Sequence, residues 1–147
     1  MYSRILVATD GSTLSNKAVK HAIGLAANCG ADLVALKVTP RFPQSYFEGS
    51  VPMSAQEVAR VEVQWASDAQ AIVDAVCAEA GKREVKAKGV TVRSDLVSDA
   101  IIAAAKKHKV DLVVMASHGR KGIKRLLLGS ETQQVLTHCG VPVLVIR

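Results

Sequence analysis

The sequence predicts an α/β domain in which one open, parallel five-stranded sheet carries helices on both faces. Five short apolar segments alternate with four stretches of helical periodicity along the 147 residues, and this alternation is typical of right-handed β-α-β crossovers. The composition agrees, since 49% of the residues are hydrophobic but only 3% are aromatic, as in Val- and Ile-rich central strands. The length suits a single domain, residues 1–147, with a core of its own.

The first part of the chain predicts two strands on either side of one helix. Residues 4–9 are apolar and β-branched, and they stop at the turn signal Asp10-Gly11-Ser12. Apolar residues then recur at helical spacing until near Gly30. Residues 31–39 are the second predicted strand, which Pro40 ends.

A long connection and a long helix follow. Residues 40–53 hold three prolines and Gly49 and predict a loop longer than the usual connection. We expect a plain connection there, with a lid over a ligand as the alternative. Ser54 and Glu57 have the spacing of a capping box. They predict a helix that runs to about Ala80, and a frayed basic extension toward Gly89 is left open.

The second half of the chain predicts three more strands and two more helices. Residues 90–97 predict the third strand, and Ser98 or Asp99 is expected to cap the third helix. Residues 112–116 predict the fourth strand. Ser130 opens the fourth predicted helix, which ends near Gly140, and residues 141–146 predict the last strand.

Charge and cysteine content limit the classes of function. The net charge of +6 attracts anionic partners, but the scarcity of aromatic side chains argues against nucleic acid. The three cysteines, Cys29, Cys77 and Cys139, show no CxxC spacing and predict free thiols in a reducing compartment. No apolar run approaches the roughly 20 residues of a membrane span, and the N-terminus lacks the pattern of a signal peptide. We therefore expect a cytoplasmic protein with no membrane partner.

The segment 112–130 carries the strongest functional signal. A buried-strand pattern breaks into a loop with Gly119 and Gly122, and the loop closes on Gly129 and Ser130 at a predicted helix start. Four basic residues lie in this loop: Arg120, Lys121, Lys124 and Arg125. A strand, a glycine loop and a helix N-terminus in this order can hold phosphate. Because ligands of parallel sheets bind beyond the carboxyl ends of the strands, the hypothesis is a nucleotide site between this loop and Asp10.

Simpler explanations stay open for each residue taken singly. Ser130 and Gln133 have the spacing of a capping box, Asp10 suits an Asx turn, and the loop glycines suit turns. The sequence lacks GxxxxGK[ST], a GxGxxG after the first strand, and GxSxG, which excludes P-loop, dinucleotide-fingerprint and nucleophile-elbow sites. The four histidines show no metal-ligand spacing.

Taken together, these residues resemble the universal stress proteins. Met115-Ala-Ser-His-Gly119, then nine residues, then Gly129-Ser130 is similar to the nucleotide motif G-2x-G-9x-G-[ST] of that family. The turn at Asp10 is similar to the family's ATD-GS opening. The resemblance covers essentially the whole chain and identifies a universal stress protein domain over residues 1–147. Ala116 stands where the motif has glycine, and we expect its methyl group to weaken ATP binding rather than abolish it.

The resemblance implies a Rossmann-like sheet of strand order 3-2-1-4-5, as in the adenine nucleotide α-hydrolase-like folds, and ATP as the ligand, accompanied by Mg²⁺. It implies that Asp10 holds the ribose or base, that the Val38 backbone contacts adenine, and that Ala116 lies beside the ribose. The implied phosphate contacts are backbone N–H groups and one hydroxyl, at Gly119, Gly129, Ser130 and Glu131. The neighbours that complete the implied site are Thr9, Met115, His118 and Arg120. The Glu131 carboxylate would lie near the phosphates, where the basic loop residues would offset its charge.

The implied role is that of a cytoplasmic stress-response protein that binds ATP as a homodimer, paired through the apolar last strand, Pro142 to Ile146. No general base is evident, so we expect no enzyme activity beyond slow ATP hydrolysis or autophosphorylation. Three alternatives stay open. The first is a family member that binds no nucleotide and acts through protein contacts, for which Ala116 is the reason. The second is an enzyme of the wider fold group, although residues 10–13 lack an SGGxDS-type loop. The third is a nucleic-acid binder that uses the basic loop, with an affinity that falls steeply with salt.

Overall fold

The computed structural model describes residues 1–41, 53–119 and 128–147. Across these ranges five strands alternate with four helices: β1 Arg4–Ala8, α1 Thr13–Cys29, β2 Asp32–Thr39, α2 Ala55–Gly81, β3 Ala87–Arg93, α3 Val97–Lys107, β4 Leu112–Ala116, α4 Ser130–His138 and β5 Val143–Ile146. Neighbouring strands are parallel, in the sheet order β3-β2-β1-β4-β5. The predicted fold class and strand order are confirmed.

The sheet order determines where a ligand can bind. β1 lies in the centre and pairs with β2 on one side and β4 on the other. From β1 the chain first builds outward to β3 and then crosses back to β4, so the direction of winding reverses between β1 and β4. A crevice forms beyond the carboxyl ends of the strands at such a reversal. The loops that follow β1 and β4 therefore begin side by side there.

Apolar side chains bury both faces of the sheet. α1 and α2 cover one face, and the shared core includes Ile5, Val7, Ala22, Leu33, Val73 and Val114. α3 and α4 cover the other, with Leu6, Leu36, Ile101, Val113, Met115 and Val135. Successive residues of β1 point to opposite faces, as the strand period requires, and three of them are fully buried. This two-sided burial explains the continuous apolar runs of the central strands.

Capping residues hold three of the helix boundaries, and the two at Gly30 and Ser54 were predicted. Ser12 precedes α1, and its hydroxyl accepts the N–H of Ser15 at 3.3 Å. Gly30 ends the same helix in the left-handed region, at φ 68°, which costs glycine least. At α2 the hydroxyl of Ser54 accepts from the Glu57 N–H, and the Glu57 carboxylate accepts from the Ser54 N–H. The predicted capping box is confirmed.

The third strand and the helices beside it depart from the prediction. α2 has no extension toward Gly89, because it stops at Gly81 and the chain turns through Glu84, at φ 57°. β3 covers Ala87–Arg93 instead of residues 90–97, since Val85 is buried in the core and Ala87 pairs with Leu33. Residues 42–52 of the predicted loop lie outside the described part of the chain.

α3 begins at Val97, two residues before the start that a cap at Ser98 would give and three before the start that a cap at Asp99 would give. Its N-cap is Leu96, which makes no side-chain capping bond. The hydroxyl of Ser94 accepts the Leu96 N–H at 3.1 Å, so a serine turns the chain before the helix instead of capping it. β5 is also shorter than predicted and begins at Val143.

The amino ends of β1 and β4 are joined on the side of the sheet opposite the crevice. The Asp111 carboxylate accepts the N–H groups of Ser3 and Arg4 at 2.8 and 3.0 Å. The hydrogen bond from the Ser3 backbone is the main reason why the pKa of Asp111 is lowered.

Within the described ranges, no helix is both long enough and apolar enough to cross a bilayer.

Candidate functional site

The loops after β1 and β4 come into contact at Asp10 and Gly119. A Cβ added to Gly119 would lie 3.0 Å from Oδ2 of Asp10, so a side chain at this position would press on the carboxylate. The other oxygen, Oδ1, accepts the N–H of Ser12 at 2.9 Å, which is the Asx-type bond expected of a turn. Asp10 therefore shapes its own turn and also lies close to Gly119.

Thr9, which directly follows β1, supports the Asp10 turn. Its side chain is buried, its hydroxyl lies 3.1 Å from the hydroxyl of Ser15, and it accepts the N–H of Gly11 at 3.2 Å. These partners fix the turn against the start of α1. The Thr9 side chain is therefore committed to the loop itself.

The backbone of Val38 is directed past the end of β1. The carbonyl of Leu36 accepts the N–H of Thr9 at 2.9 Å, and Leu36 is the last β2 residue paired with β1. Alternate residues of a strand point their N–H and C=O groups to the same side, so Val38 presents both groups to the space beyond β1. The ammonium of Lys37 donates to the Val38 carbonyl at 3.0 Å. A backbone donor and acceptor thus lie beside the Asp10 turn.

Ala116 and Ser117 form the carboxyl end of β4. Ala116 pairs with Ile146, and the N–H of Ser117 donates to the Ile146 carbonyl at 2.8 Å. The side chain of Met115 belongs to the core under α3 and α4, so it supports the strand end and does not line the crevice. Ala116 is only 8% exposed, which leaves little of its methyl group to obstruct a ligand.

Gly129 brings the start of α4 against the end of β4. Its N–H donates to the carbonyl of Ser117 at 2.8 Å. A Cβ at Gly129 would lie 3.3 Å from both the Ser117 oxygen and the His118 Cα. The φ of Gly129 is −60°, so close approach of the two backbones, and not an unusual dihedral, is what requires glycine here.

The N-terminus of α4 has the donors that an anion needs. Its N-cap is Gly129, which has no side chain to cap the helix, whereas α1 and α2 have serine caps. The predicted capping box at Ser130 and Gln133 is therefore wrong, because Ser130 is already the first helical residue. The first-turn N–H groups, from Ser130 to Thr132, have no partner within the helix. The N–H of Gly129, by contrast, is engaged by Ser117.

The Glu131 carboxylate points to α3 and not toward the predicted phosphates. Its Oε2 accepts the N–H of Ser98 at 2.9 Å. Ser98 lies in the first turn of α3, which has no cap of its own, and a carboxylate is favourable at that end of a helix. The expectation of a carboxylate beside the phosphates does not match this geometry. The backbone N–H of Glu131 remains at the start of α4.

The remaining predicted residues divide into two groups. His118 is half-buried, with Nδ1 3.1 Å from the Ser117 hydroxyl. The other group lies outside the described residues and comprises Arg120, Lys121, Gly122, Lys124 and Arg125.

Two residues near the site, Thr132 and Lys37, were not predicted from the sequence. The hydroxyl of Thr132 lies 3.1 Å from the carbonyl oxygens of both Ala116 and Ser117, and the residue is 2% exposed. One signal could have pointed to it: a polar residue stands three positions before Val135, on the face that helical periodicity assigns to the core. No comparable signal marks Lys37.

Comparison with known proteins identifies the relatives of this chain. Residues 1–147 match the universal stress protein family as a whole. Universal stress protein MJ0531 of Methanocaldococcus jannaschii is 30% identical over 151 aligned residues, which cover 100% of this chain and 83% of that protein.

Solved structures agree on the fold. The structure of protein MJ0577, from the same organism, superimposes with a TM-score of 0.83 at 25% identity, covering 99% of this chain and 96% of that one. A universal stress protein in complex with cAMP superimposes with a TM-score of 0.72, also at 25% identity, covering 99% and 97% of the two chains.

Proposed function

Because this chain belongs to the universal stress protein family, we propose that it binds ATP in the crevice beyond β1, β2 and β4 and acts as a regulatory protein of the stress response. The observation that carries the proposal is the start of α4, which has no side-chain cap and is held by Gly129 against Ser117. Ser117 lies two residues before Gly119, the position that approaches Asp10. N–H groups that have no partner within the helix, together with the positive end of a helix dipole, favour a phosphate at the start of α4. A relative of the same fold was solved with an adenine nucleotide, cAMP, which supports this class of ligand.

Each part of ATP has a proposed partner. The phosphates bind the N–H groups of Ser130 and Glu131, the Ser130 hydroxyl and the backbone at Gly119, with His118 and Arg120 as additional donors. The ribose lies between Asp10 and Ala116. Adenine meets the N–H and C=O of Val38, which match the donor and acceptor on its Watson–Crick edge. Glycine at positions 119 and 129 lets these parts of the site approach closely, since a Cβ would meet Asp10 at the first position and Ser117 and His118 at the second.

Mg²⁺ fits this site as an ion carried by the nucleotide. Mg²⁺ usually keeps several waters and takes further ligands from phosphates and one or two carboxylates. The described residues contain no group of three or more His, Cys, Asp or Glu side chains that could hold a metal. The Asp10 carboxylate serves the ribose in this proposal, so we propose that the phosphates and water are the ligands of the ion. The ion would neutralise phosphate charge when it is bound.

The proposed chemistry is binding and not rapid turnover. Asp10 is already held by the Ser12 N–H and faces Gly119, and it serves the ribose in this proposal, so it is not the base for an attacking water. Slow hydrolysis or autophosphorylation is the most that we expect. The three cysteines are free thiols, which supports a cytoplasmic location.

The proposal is tested by the nucleotide that the purified protein carries. The protein is heat-denatured and the released small molecules are identified by mass spectrometry, after which ATP is titrated into the nucleotide-free protein by calorimetry. We expect an adenine nucleotide in the released fraction and saturable binding of one ATP per chain. The absence of saturable binding up to about 1 mM ATP would contradict the proposal and favour a member that acts through protein contacts alone.

We also propose that two copies pair through β5. This strand is an edge of the sheet, and Leu144 is 38% exposed on it. The carbonyls of Pro142 and Ile146 accept bonds from β4, so the alternate residues Val143 and Val145 point their backbone groups away from the sheet. An apolar edge with outward N–H and C=O groups pairs readily with a second strand. The proposed dimer strand is Pro142 to Ile146.

Val145→Pro is expected to convert this dimer into a monomer. Proline removes the outward N–H, and an edge strand tolerates it at a position that does not bond to the sheet. Val145→Ala is the matched control, because it shortens the side chain but keeps the N–H, and it should stay dimeric. The oligomeric state is measured by analytical ultracentrifugation at micromolar concentration. A monomeric wild-type protein, or a dimeric Val145→Pro protein, would be evidence against pairing through β5.

A further inference from the structure

Thr132 connects the start of α4 to the end of β4 through a buried hydroxyl. The residue is the third of α4 and is 2% exposed. Its Oγ1 lies 3.1 Å from the Ala116 oxygen and 3.1 Å from the Ser117 oxygen. A hydroxyl carries a single hydrogen, so the bond is shared between two neighbouring carbonyls. A buried hydroxyl without hydrogen-bond partners would cost free energy, so these two carbonyls are what allow a threonine at this buried position.

The same junction contains a second hydrogen bond. The N–H of Gly129 donates to Ser117, the carbonyl that also accepts from Thr132. One of the two bonds comes from Gly129, before the first helical residue Ser130, and the other from Thr132, after it. They fix the distance and the direction of the first turn of α4 relative to Ala116.

We infer that Thr132 is a positioning residue for the phosphates of the bound nucleotide, an inference that rests on the ATP site proposed above. Thr132 touches no ligand in this arrangement, because its hydroxyl faces the β4 carbonyls. It acts by holding the first turn of α4, with the N–H groups of Ser130 and Glu131, at the end of β4. Small displacements of such donors weaken binding, since preorganised geometry is what makes them effective.

Thr132 is expected to affect the phosphate end of the nucleotide and not the base end. The backbone of Val38 is held by β2, which pairs with β1 and β3, and no bond of Thr132 reaches this part of the sheet. Loss of the hydroxyl should therefore weaken contacts to phosphate and leave contacts to the base unchanged. A residue that merely stabilises the fold would affect both ends or neither.

The test compares ATP with adenosine in the full-length protein. Thr132→Val has nearly the same shape and lacks the hydroxyl, while Thr132→Ser keeps it. The matched control is Thr137→Val, because the Thr137 hydroxyl donates to the Gln133 carbonyl on the exposed side of the same helix. ATP affinity is measured by calorimetry and adenosine affinity by NMR titration. Hydrogen exchange of the Gly129 amide is measured without ligand.

Thr132→Val is expected to lower ATP affinity about three- to tenfold, as for the loss of one hydrogen bond, with adenosine affinity unchanged. It should also speed exchange of the Gly129 amide, whereas Thr132→Ser and Thr137→Val behave like the wild type. Equal ATP affinity and equal Gly129 exchange in Thr132→Val would overturn the inference, as would equal losses for ATP and adenosine. If the wild-type protein binds no ATP, the proposed function is wrong. If the wild type binds ATP and Thr132→Val binds it equally well, the proposed function stands and only the role of Thr132 is wrong.

Discussion

Replacing Gly129 with aspartate is expected to lower ATP affinity at least about a hundredfold, because it adds a carboxylate and a Cβ where a phosphate is proposed to bind. Two unit charges 4 Å apart repel by about 4 kcal/mol at the effective dielectric constant of a protein surface, and about 2.7 kcal/mol corresponds to a hundredfold change in affinity. The added Cβ would also meet the Ser117 oxygen and the His118 Cα at 3.3 Å. Calorimetric titration with ATP measures the loss.

Two further variants separate charge from bulk. Gly129→Ala adds only the Cβ and should weaken binding much less than aspartate does. Gly140→Asp adds the same charge just after α4, where a Cβ meets no atom within 4 Å, and should bind ATP like the wild type. Circular dichroism confirms that each variant is folded before the affinities are compared. An unchanged affinity in folded Gly129→Asp protein would remove the start of α4 from the nucleotide site.

The region around Gly129 contains both features that the sequence predicted and one that it could not predict. The order of strands and helices follows from local periodicity, and the loop glycines and Ser130 could be selected from their spacing. The cap of α4 could not be predicted, because the choice between Ser130 and Gly129 depends on the Ser117 carbonyl, twelve positions earlier in the chain. Capping signals extend over only a few residues, so a contact at this separation leaves no trace in them.

Glu131 is a second example of the same limit. Its position directly after Ser130 suggests a carboxylate among the phosphates, yet its side chain bonds to the Ser98 N–H, 33 positions away. The first turn of α3 also lacks the predicted cap at Ser98 or Asp99. One long-range contact thus bears on both errors, since the first turn of α3 has no side-chain capping bond of its own and its Ser98 N–H donates instead to a carboxylate of α4. Val38 differs, because a family resemblance selected it and only the sheet register gives a physical reason for its position.

Gly89 has less room for a side chain than the other glycines whose surroundings the structure describes. It lies in β3 opposite Ala35, and a Cβ there would come within 2.8 Å of Cγ2 and 3.1 Å of Cβ of Val73. Val73 is fully buried between α2 and the sheet, so it cannot swing into solvent. We expect Gly89→Ala to lower the free energy of unfolding by about 1–3 kcal/mol, the usual cost of overpacking. This exceeds the gain of about 0.4–1 kcal/mol from a less flexible unfolded chain.

A double-mutant cycle tests whether Val73 is the cause. Val73→Ala removes the Cγ2 atom that the new methyl group would meet, so the double variant should be less destabilised than the sum of the single variants by about 1 kcal/mol. Gly81→Ala is the control, because a Cβ at the end of α2 meets no atom within 4 Å, and it should not lower stability. Urea unfolding at one fixed protein concentration measures the free energies of all five proteins, since association would otherwise alter them. Additive losses in the cycle, or a Gly89→Ala protein as stable as the wild type, would mean that α2 moves away from β3 with little cost.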